Sequence, residues 1–447
     1  MSESEMTAPA RDQHVAVIGL GYVGLPLAIG LAEIGCTVVG LDIDSHKVEQ
    51  LNRGESTIGD VPDEAVARWV RAGRFHATTD TEALRAPDAI FICVPTPFDA
   101  NRAPDLSYIR SAAESIQPRL RSGHLIVLES TTFPGTTEEV LQPMLEVTGL
   151  RAGIDFDLAF VPERIDPGQV ESQGWTIVNT PKVVGGLTPR SAQRTATLLG
   201  AMGAPVHVVS SPRAAEMAKL LENTFRSVNI ALVNELALLC ERMGIDVWEV
   251  IGAAATKPFG FMPFRPGPGV GGHCIPVDPL YLSWKAREFD FHTNFINLAT
   301  QVNEDMPYHV IDLIVRGLSR QGKSLYGARA LVLGVAFKRD IDDARNSPAE
   351  RVIELLMARG ASVAYHDPHV PQFRVGGNVF HRQRETLESI PLGDAALAEA
   401  DCVVIVTGHT SIDYRRVAAQ AQMVADTCNA VPRDAEANVV RLGTPFR

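Results

Sequence analysis

The 447-residue chain has no excess of basic residues, few aromatics and no closely spaced cysteine pair, and each shortage removes a class of function. Lysine plus arginine number 41 against 53 aspartate plus glutamate, a formal charge of −12, so nucleic acid and other polyanions are repelled rather than gathered. A phosphate-bearing ligand must then be held locally, by helix N-termini and a few placed lysines or arginines. The six cysteines (Cys36, Cys93, Cys240, Cys274, Cys402, Cys428) include no CxxC, which argues against a disulfide framework or a zinc site and for a reducing, cytoplasmic setting. No low-complexity segment and no repeat with a period of roughly 20 to 50 residues is present. The polar N-terminus, MSESEMTAPARDQH, lacks the apolar centre of a secretory signal. One stretch, Val15 to Ala32, is uncharged over 18 positions, the length of a membrane span. Gly19, Gly21, Gly24, Gly30 and Pro26 break it into a strand, a turn and a helix start, so no membrane contact is expected.

What is present is a globular composition, 45% hydrophobic, in a chain too long for one core, since cores stop growing near ~250 to 300 residues. Val15 to Gly19 reads as a strand, Leu25 to Ile34 as a helix closed by Gly35, and Thr37 to Leu41 as the next strand, a βαβ unit. Apolar runs at Ala89 to Pro95, Leu125 to Leu128, Leu158 to Val161 and Val206 to Val209 continue the series, with helix-like segments such as Leu106 to Leu120 and Pro189 to Leu199 between. From Arg213 to Met243, 31 residues without glycine or proline predict one long helix, roughly 46 Å at ~1.5 Å per residue, serving as a spine and dimer contact. A second strand-rich series follows: Arg329 to Val335, helix Pro348 to Met357, Ser362 to Tyr365, Cys402 to Thr407 and Met423 to Asp426. The fold class is therefore α/β, with two Rossmann-like doubly wound domains joined by a central helical region. The expected boundaries are 1–210, 211–322 and 323–447.

Gly19, Gly21 and Gly24, with Tyr22 and Val23 between them, follow the first strand and open its helix, and Asp42 ends the second strand. That is the dinucleotide fingerprint: the glycines admit the pyrophosphate to the backbone, the helix N-terminus supplies NH groups, and the acid accepts from ribose hydroxyls. An acid there favours NAD over NADP. Lys47 reads either as a contact to the adenosine half or as a solvated helix lysine.

Gly267-Pro268-Gly269-Val270-Gly271-Gly272-His273-Cys274 is a glycine-rich loop that delivers one cysteine, which suits a thiolate nucleophile better than a packing residue. The other five cysteines read as small buried hydrophobes. Glu216, Lys219 and Asn223 stand at i, i+3 and i+7 of the long helix and so share one face, which spacing alone assigns to a surface ion-pair stripe sooner than to a cleft lining.

The stretches GLGYVGLP (19–26), CVPTP (93–97), ESTTFPGT (129–136), VPER (161–164), AEMAKLLENTFR (215–226), PGPGVGGHCIPVDP (266–279) and GVAFKRDIDDARNSP (334–348) together resemble the UDP-glucose/GDP-mannose dehydrogenase family over nearly the whole chain. KPFGFMPFRPGPGVGGHCIP and the IDPG after Arg164 are most similar to the family's UDP-N-acetylglucosamine 6-dehydrogenase branch. The resemblance implies that Lys219 and Asp278 handle the C6 oxygen and a water, and that Cys274 attacks the aldehyde left by a first hydride transfer. It places Thr131 and Glu163 near the nicotinamide and the reactive water, and Thr96 against the cofactor. It makes Asn223, Phe264, Gly271, Lys338 and Arg345 substrate-binding positions, with Arg345 acting in its own or a neighbouring subunit, and it implies a homodimer or higher oligomer. Where UDP-glucose members often carry a second glutamate, this chain reads Arg164-Ile165-Asp166-Pro167-Gly168, which brings Arg164 to the sugar and leaves the choice of sugar open.

The chemistry fits those types. Oxidising an alcohol to an acid removes two hydrides, so two NAD molecules act in turn; a cysteine holds the aldehyde as a thiohemiacetal and then as a thioester. An ammonium at Lys219 stabilises the oxyanions. A two-electron hydroxyacid dehydrogenase would share the first lobe but has no use for the cysteine loop or the GVAFKRD segment. A non-catalytic binding protein would not need Lys219, Cys274 and Asp278 together.

Overall fold

The structure is a computed structural model that describes residues 12–98, 103–165, 174–177, 179–378, 381–435 and 438–445. Two compact units divide the chain: Met1–Glu222 with Trp284–Phe291, and Asn223–Ser283 with His292–Arg447.

The first unit is built on an eight-stranded sheet. Its strands are β1 (His14–Ile18), β2 (Thr37–Leu41), β3 (Phe75–Thr78), β4 (Ala89–Ile92), β5 (Leu125–Leu128), β6 (Asp157–Phe160), β7 (Lys182–Gly186) and β8 (Val206–Val209), in the order β3-β2-β1-β4-β5-β6-β7-β8. All pairs are parallel except β6 with β7. Strands buried on both faces carry continuous apolar runs, because side chains alternate between two cores. Val15 and Val17 of β1 enter one core, and Ala16 and Ile18 enter the other. The chain reverses direction across the sheet between β1 and β4, which opens a crevice at the carboxyl ends of those strands.

The second unit repeats the plan with β9 (Arg329–Leu333), β10 (Ser362–His366), β13 (Cys402–Ile405), β14 (Val424–Asp426) and β15 (Val439–Arg441), a parallel sheet ordered β10-β9-β13-β14-β15. A hairpin of β11 (Gln372–Gly376) and β12 (Arg384–Glu388) stands apart. Ala330 and Val332 face one core and Leu331 and Leu333 the other, the same alternation as in β1.

The predicted long helix is present as Pro212–Met243, and its first eleven residues belong to the first unit. Helix Asn294–Arg320, with Pro307 inside it, has no counterpart in the sequence reading, nor do β3, β7, β15 and the hairpin. Val15 to Ala32 forms β1, a turn and helix Gly24–Glu33, as the glycines indicate. Among the described residues no helix is long and apolar enough to cross a membrane.

Candidate active site

The cofactor loop sits at the reversal point of the first sheet. Gly19 has φ +89°, and a Cβ there would lie 2.5 Å from the Cys93 carbonyl oxygen at the end of β4. A Cβ on Gly24 would collide with the Gly19 carbonyl oxygen, whereas beside Gly21 the space is open, which is what close approach of a ligand to the backbone requires. Tyr22 and Val23 complete the turn into helix Gly24–Glu33. The Asp42 carboxylate accepts from the Leu20 amide at 2.9 Å, the Asp44 amide at 3.1 Å and Lys47 Nζ at 3.0 Å. Burial works to raise that carboxyl, and these donors outweigh it, holding it below the usual range. Lys47 is thus the ion-pair partner of the acid rather than a detached surface lysine. These residues fit NAD: an open glycine beside a helix N-terminus for the pyrophosphate, and an ionised acid at the end of β2 for the ribose.

Beyond the loop, three consecutive strands deliver polar residues at their carboxyl ends: Cys93 after β4, Glu129 after β5 and Glu163 shortly after β6. Thr96 Oγ1 donates to the Thr131 carbonyl at 2.6 Å, joining the two expected cofactor contacts. Glu163 accepts from Lys182 Nζ at 2.8 Å and from the Arg164 and Ile165 amides at 2.6 and 2.7 Å. Burial raises this carboxyl, but the Lys182 charge and those hydrogen bonds pull it below the ordinary range. Lys219 Nζ donates to the Glu163 backbone oxygen at 2.6 Å. Arg164 reaches Glu222 at 2.7 Å and the Pro181 carbonyl at 2.9 Å. Asp166, Pro167 and Gly168 lie outside the described residues.

Sequence reasoning missed Glu129 and Lys182. Glu129 is 1% exposed, and burial pushes its carboxyl up to about 8, with Lys182 opposing and Glu163 adding to the rise. One oxygen lies 3.6 Å from Cys93 Sγ, and among the described residues the other has no hydrogen-bond partner. Glu129 falls inside a quoted motif, and Lys182 opens an apolar strand, but neither residue type announces a buried charge cluster.

The surface-stripe reading of Glu216, Lys219 and Asn223 is overturned. They are 0%, 7% and 4% exposed, because this face of the helix turns inward and each polar head finds a fixed partner. Glu216 caps the Thr136–Leu141 turn, Lys219 takes the Glu163 carbonyl, and Asn223 donates to Asp278 at 2.5 Å.

In the second unit the cysteine loop is strapped to the loop after β9. A Cβ on Gly271 would lie 2.8 Å from Phe337 Cβ and 2.9 Å from both the Asn346 oxygen and Pro348 Cδ. The Gly272 amide donates to the Arg345 carbonyl at 3.3 Å, and Asn346 Nδ2 donates to the Gly272 carbonyl at 3.1 Å. Arg345 itself pairs with Asp343 at 2.8 Å, and the His273 ring stands edge-on to Phe337. Burial first, and then the Arg345 charge, lower the His273 pKa and favour the neutral ring, with Asp343 opposing. Cys274 is half-buried, and its carbonyl accepts from Asp278 at 2.8 Å at the start of helix Asp278–Ala286. Phe264 packs edge-on against Phe225, with ring centroids 5.7 Å apart. Lys338 follows Phe337 on the loop that leaves β9 at this sheet's own reversal point. Asp367, at the end of β10, accepts from the Val335 and Ala336 amides at 2.7 and 3.0 Å and from His409 at 3.0 Å. Burial opposes these bonds, and together they hold its carboxyl down to about 2.

A fingerprinted Rossmann lobe followed by a second lobe of the same kind, with a glycine loop presenting a cysteine, defines a dinucleotide-dependent dehydrogenase with a further nucleotide-type site. Three domains of one family match the chain: the NAD binding domain over residues 13–202, the central domain over 213–305 and the UDP binding domain over 331–433. The chain belongs to the UDP-glucose/GDP-mannose dehydrogenase family and is an NAD-dependent UDP-sugar dehydrogenase. It is 37% identical to the UDP-N-acetyl-D-glucosamine 6-dehydrogenase of Pseudomonas aeruginosa, over 90% of this chain and 91% of that protein. It is 36% identical to the UDP-N-acetyl-D-mannosamine dehydrogenase of Pyrococcus horikoshii, over 89% of each. The solved structure of UDP-D-ManNAc dehydrogenase from P. horikoshii superposes with a TM-score of 0.86 at 32% identity, covering 96% of this chain and 99% of that one.

Proposed function

We propose that the protein oxidises the C6 hydroxyl of UDP-N-acetylglucosamine to the carboxylate in two steps, through a thioester on Cys274. The observation that carries this reading is the Cys274 loop. Burial raises the pKa of the other five thiols, while Cys274 is half-buried on glycine-rich backbone tied to the loop that bears Lys338 and Arg345. Lys338, Arg345, Phe264 and Gly271 are the residues of this unit that we assign to substrate binding.

NAD, when bound, supplies the hydride acceptor. In the first oxidation a hydride leaves C6 and the O6 proton passes to the water handled by Lys219 and Asp278. The Cys274 thiolate then adds to C6, forming a C–S bond; the oxyanion is stabilised by Lys219 and by the Asn223 amide that orients Asp278. A second hydride leaves the thiohemiacetal to give the thioester. Water positioned by Glu163 and Thr131 attacks it, the C–S bond breaks, and the thiolate is restored. The balance is one alcohol, one water and two NAD to one carboxylate, two NADH and three protons.

The choice of N-acetylglucosamine rests on the similarity of the segment 257–276, since relatives named for N-acetylglucosamine and for N-acetylmannosamine are alike 37% identical. UDP-glucose, UDP-N-acetylglucosamine, UDP-N-acetylmannosamine and UDP-galactose assayed with NAD decide it by absorbance. Turnover is expected to be highest with UDP-N-acetylglucosamine, at two NADH per sugar. A ratio of one would remove the second oxidation, and preference for another sugar would reassign the substrate.

The long helix carries exposed Leu232, Leu236, Leu239 and Met243 at helical spacing, an apolar stripe of the kind that a second copy covers. We assign it to a homodimer. Leu236→Asp is expected to yield monomers in sedimentation velocity, and a dimer that persists would place the contact elsewhere.

A further inference from the structure

The turn that follows β5 is held at both ends by residues distant in sequence. At its start, Ser130 Oγ donates to the Val94 carbonyl at 2.8 Å, and the Thr131 carbonyl receives Thr96. At its far end the chain enters the Thr136–Leu141 helical turn, whose first amides have no partners within the helix. Glu216 takes them: Gly135 N–H at 2.5 Å on one carboxylate oxygen, Thr137 N–H at 2.9 Å and Thr137 Oγ1 at 2.7 Å on the other. The carboxyl is fully buried, and burial raises its pKa above the ordinary range while the Thr137 and Gly135 donors pull the other way. Lys219, one helical turn further on the same face, is fixed to the Glu163 carbonyl after the adjacent strand β6. Two successive contacts of one helix therefore clip together the loops that carry Thr131 and Glu163.

We propose that Glu216 is a positioning residue for the oxidation, setting the distance and orientation between the Thr131 turn and the Lys219 ammonium. The inference rests on the reading above, in which Lys219 and Thr131 serve the reaction. Lys219 keeps its own anchor without Glu216, but the Thr131 turn loses three hydrogen bonds to the Lys219 helix and can shift independently of it. Displacements near 1 Å at a reacting centre cost on the order of 100-fold in rate, whereas ground-state binding through the glycine loop and Asp42 is left intact.

Glu216→Gln keeps the volume and turns one acceptor into a donor facing an N–H. In protein with wild-type circular dichroism, assayed well below its melting temperature, kcat is expected to fall about 10- to 100-fold. KM for NAD and for UDP-N-acetylglucosamine should stay within about three-fold. In a double-mutant cycle, adding Glu216→Gln to Thr131→Ala should cost far less than it does alone, because the group it positions is gone. Wild-type kcat in folded Glu216→Gln, or full additivity with Thr131→Ala, would overturn the inference. Full activity in both Thr131→Ala and Lys219→Ala would instead bring down the reading beneath it. If Glu216→Gln does not fold, Thr137→Val removes one of the three bonds with little change of shape, and the same kcat-against-KM comparison decides.

Discussion

Replacing Cys274 with serine is expected to end carboxylate production, with a loss of at least about 10³-fold and up to about 10⁶-fold when the nucleophile acts as part of a unit. Serine suits the loop, since Gly271, Gly272 and the Cys274 backbone carbonyl, which serine keeps, all take part in holding it. What it removes is an atom that is appreciably nucleophilic near neutral pH, a property that a hydroxyl with its far higher pKa does not share. The first hydride transfer does not use the sulfur, so a single turnover should release at most one NADH per site and leave aldehyde, detectable by hydrazine trapping. Mass spectrometry of denatured wild-type enzyme quenched during turnover should find the acyl mass on the Cys274 peptide. Steady formation of acid by Cys274→Ser would exclude the covalent route.

The second large effect is on stability. Glu129 keeps its proton in the folded protein up to about pH 8, while in the unfolded chain it ionises near the ordinary value of 4.5. Between those limits the folded state binds one proton more than the unfolded state, so stability falls as pH rises across the window and is independent of this group on either side. The slope is about 1.4 kcal/mol per pH unit, which accumulates to a few kcal/mol between pH 5 and pH 8. Glu129→Gln replaces a neutral acid by a neutral amide and abolishes that slope. Its melting temperature relative to wild type should therefore climb from pH 5 to about pH 8 and level off above it. A constant difference over that range would mean that Glu129 is already ionised in the folded protein, its charge shared with Lys182.

The parts legible in the sequence are those governed by local pattern. The βαβ start, the Gly19 to Gly24 turn, Asp42 and the uninterrupted helix through Met243 each follow from periodicity or punctuation within a few dozen residues. Glu216 defeats that approach because its partners, two backbone amides and one hydroxyl of Gly135 and Thr137, lie 81 and 79 residues upstream. A charged helix stripe and a buried one have the same spacing; only the tertiary partners tell them apart. Strand β7 was illegible for a related reason, since it opens with Lys182, a charge that is tolerated in a buried strand only because Glu163 stands 2.8 Å away. Of the site, the cofactor fingerprint could be read from the residues themselves, whereas the roles proposed for Lys219, Asn223 and Asp278 rest on the family resemblance.

Both lobes brace the loop after their first strand with an acid from the end of the second, yet the third partner differs. Asp42 shares its charge with Lys47, whose side chain is 28% exposed, and Asp367 shares with His409, which is fully buried. A solvated lysine on a flexible stem can swing away, so an arriving ribose can replace it without leaving any group dry and unpaired. The imidazole has no such exit, because its other nitrogen accepts from the Asp340 amide at 3.0 Å. The same architectural position is therefore an exchangeable latch in the lobe that must load and discharge a dinucleotide, and a permanent rivet in the lobe that belongs to the UDP binding domain.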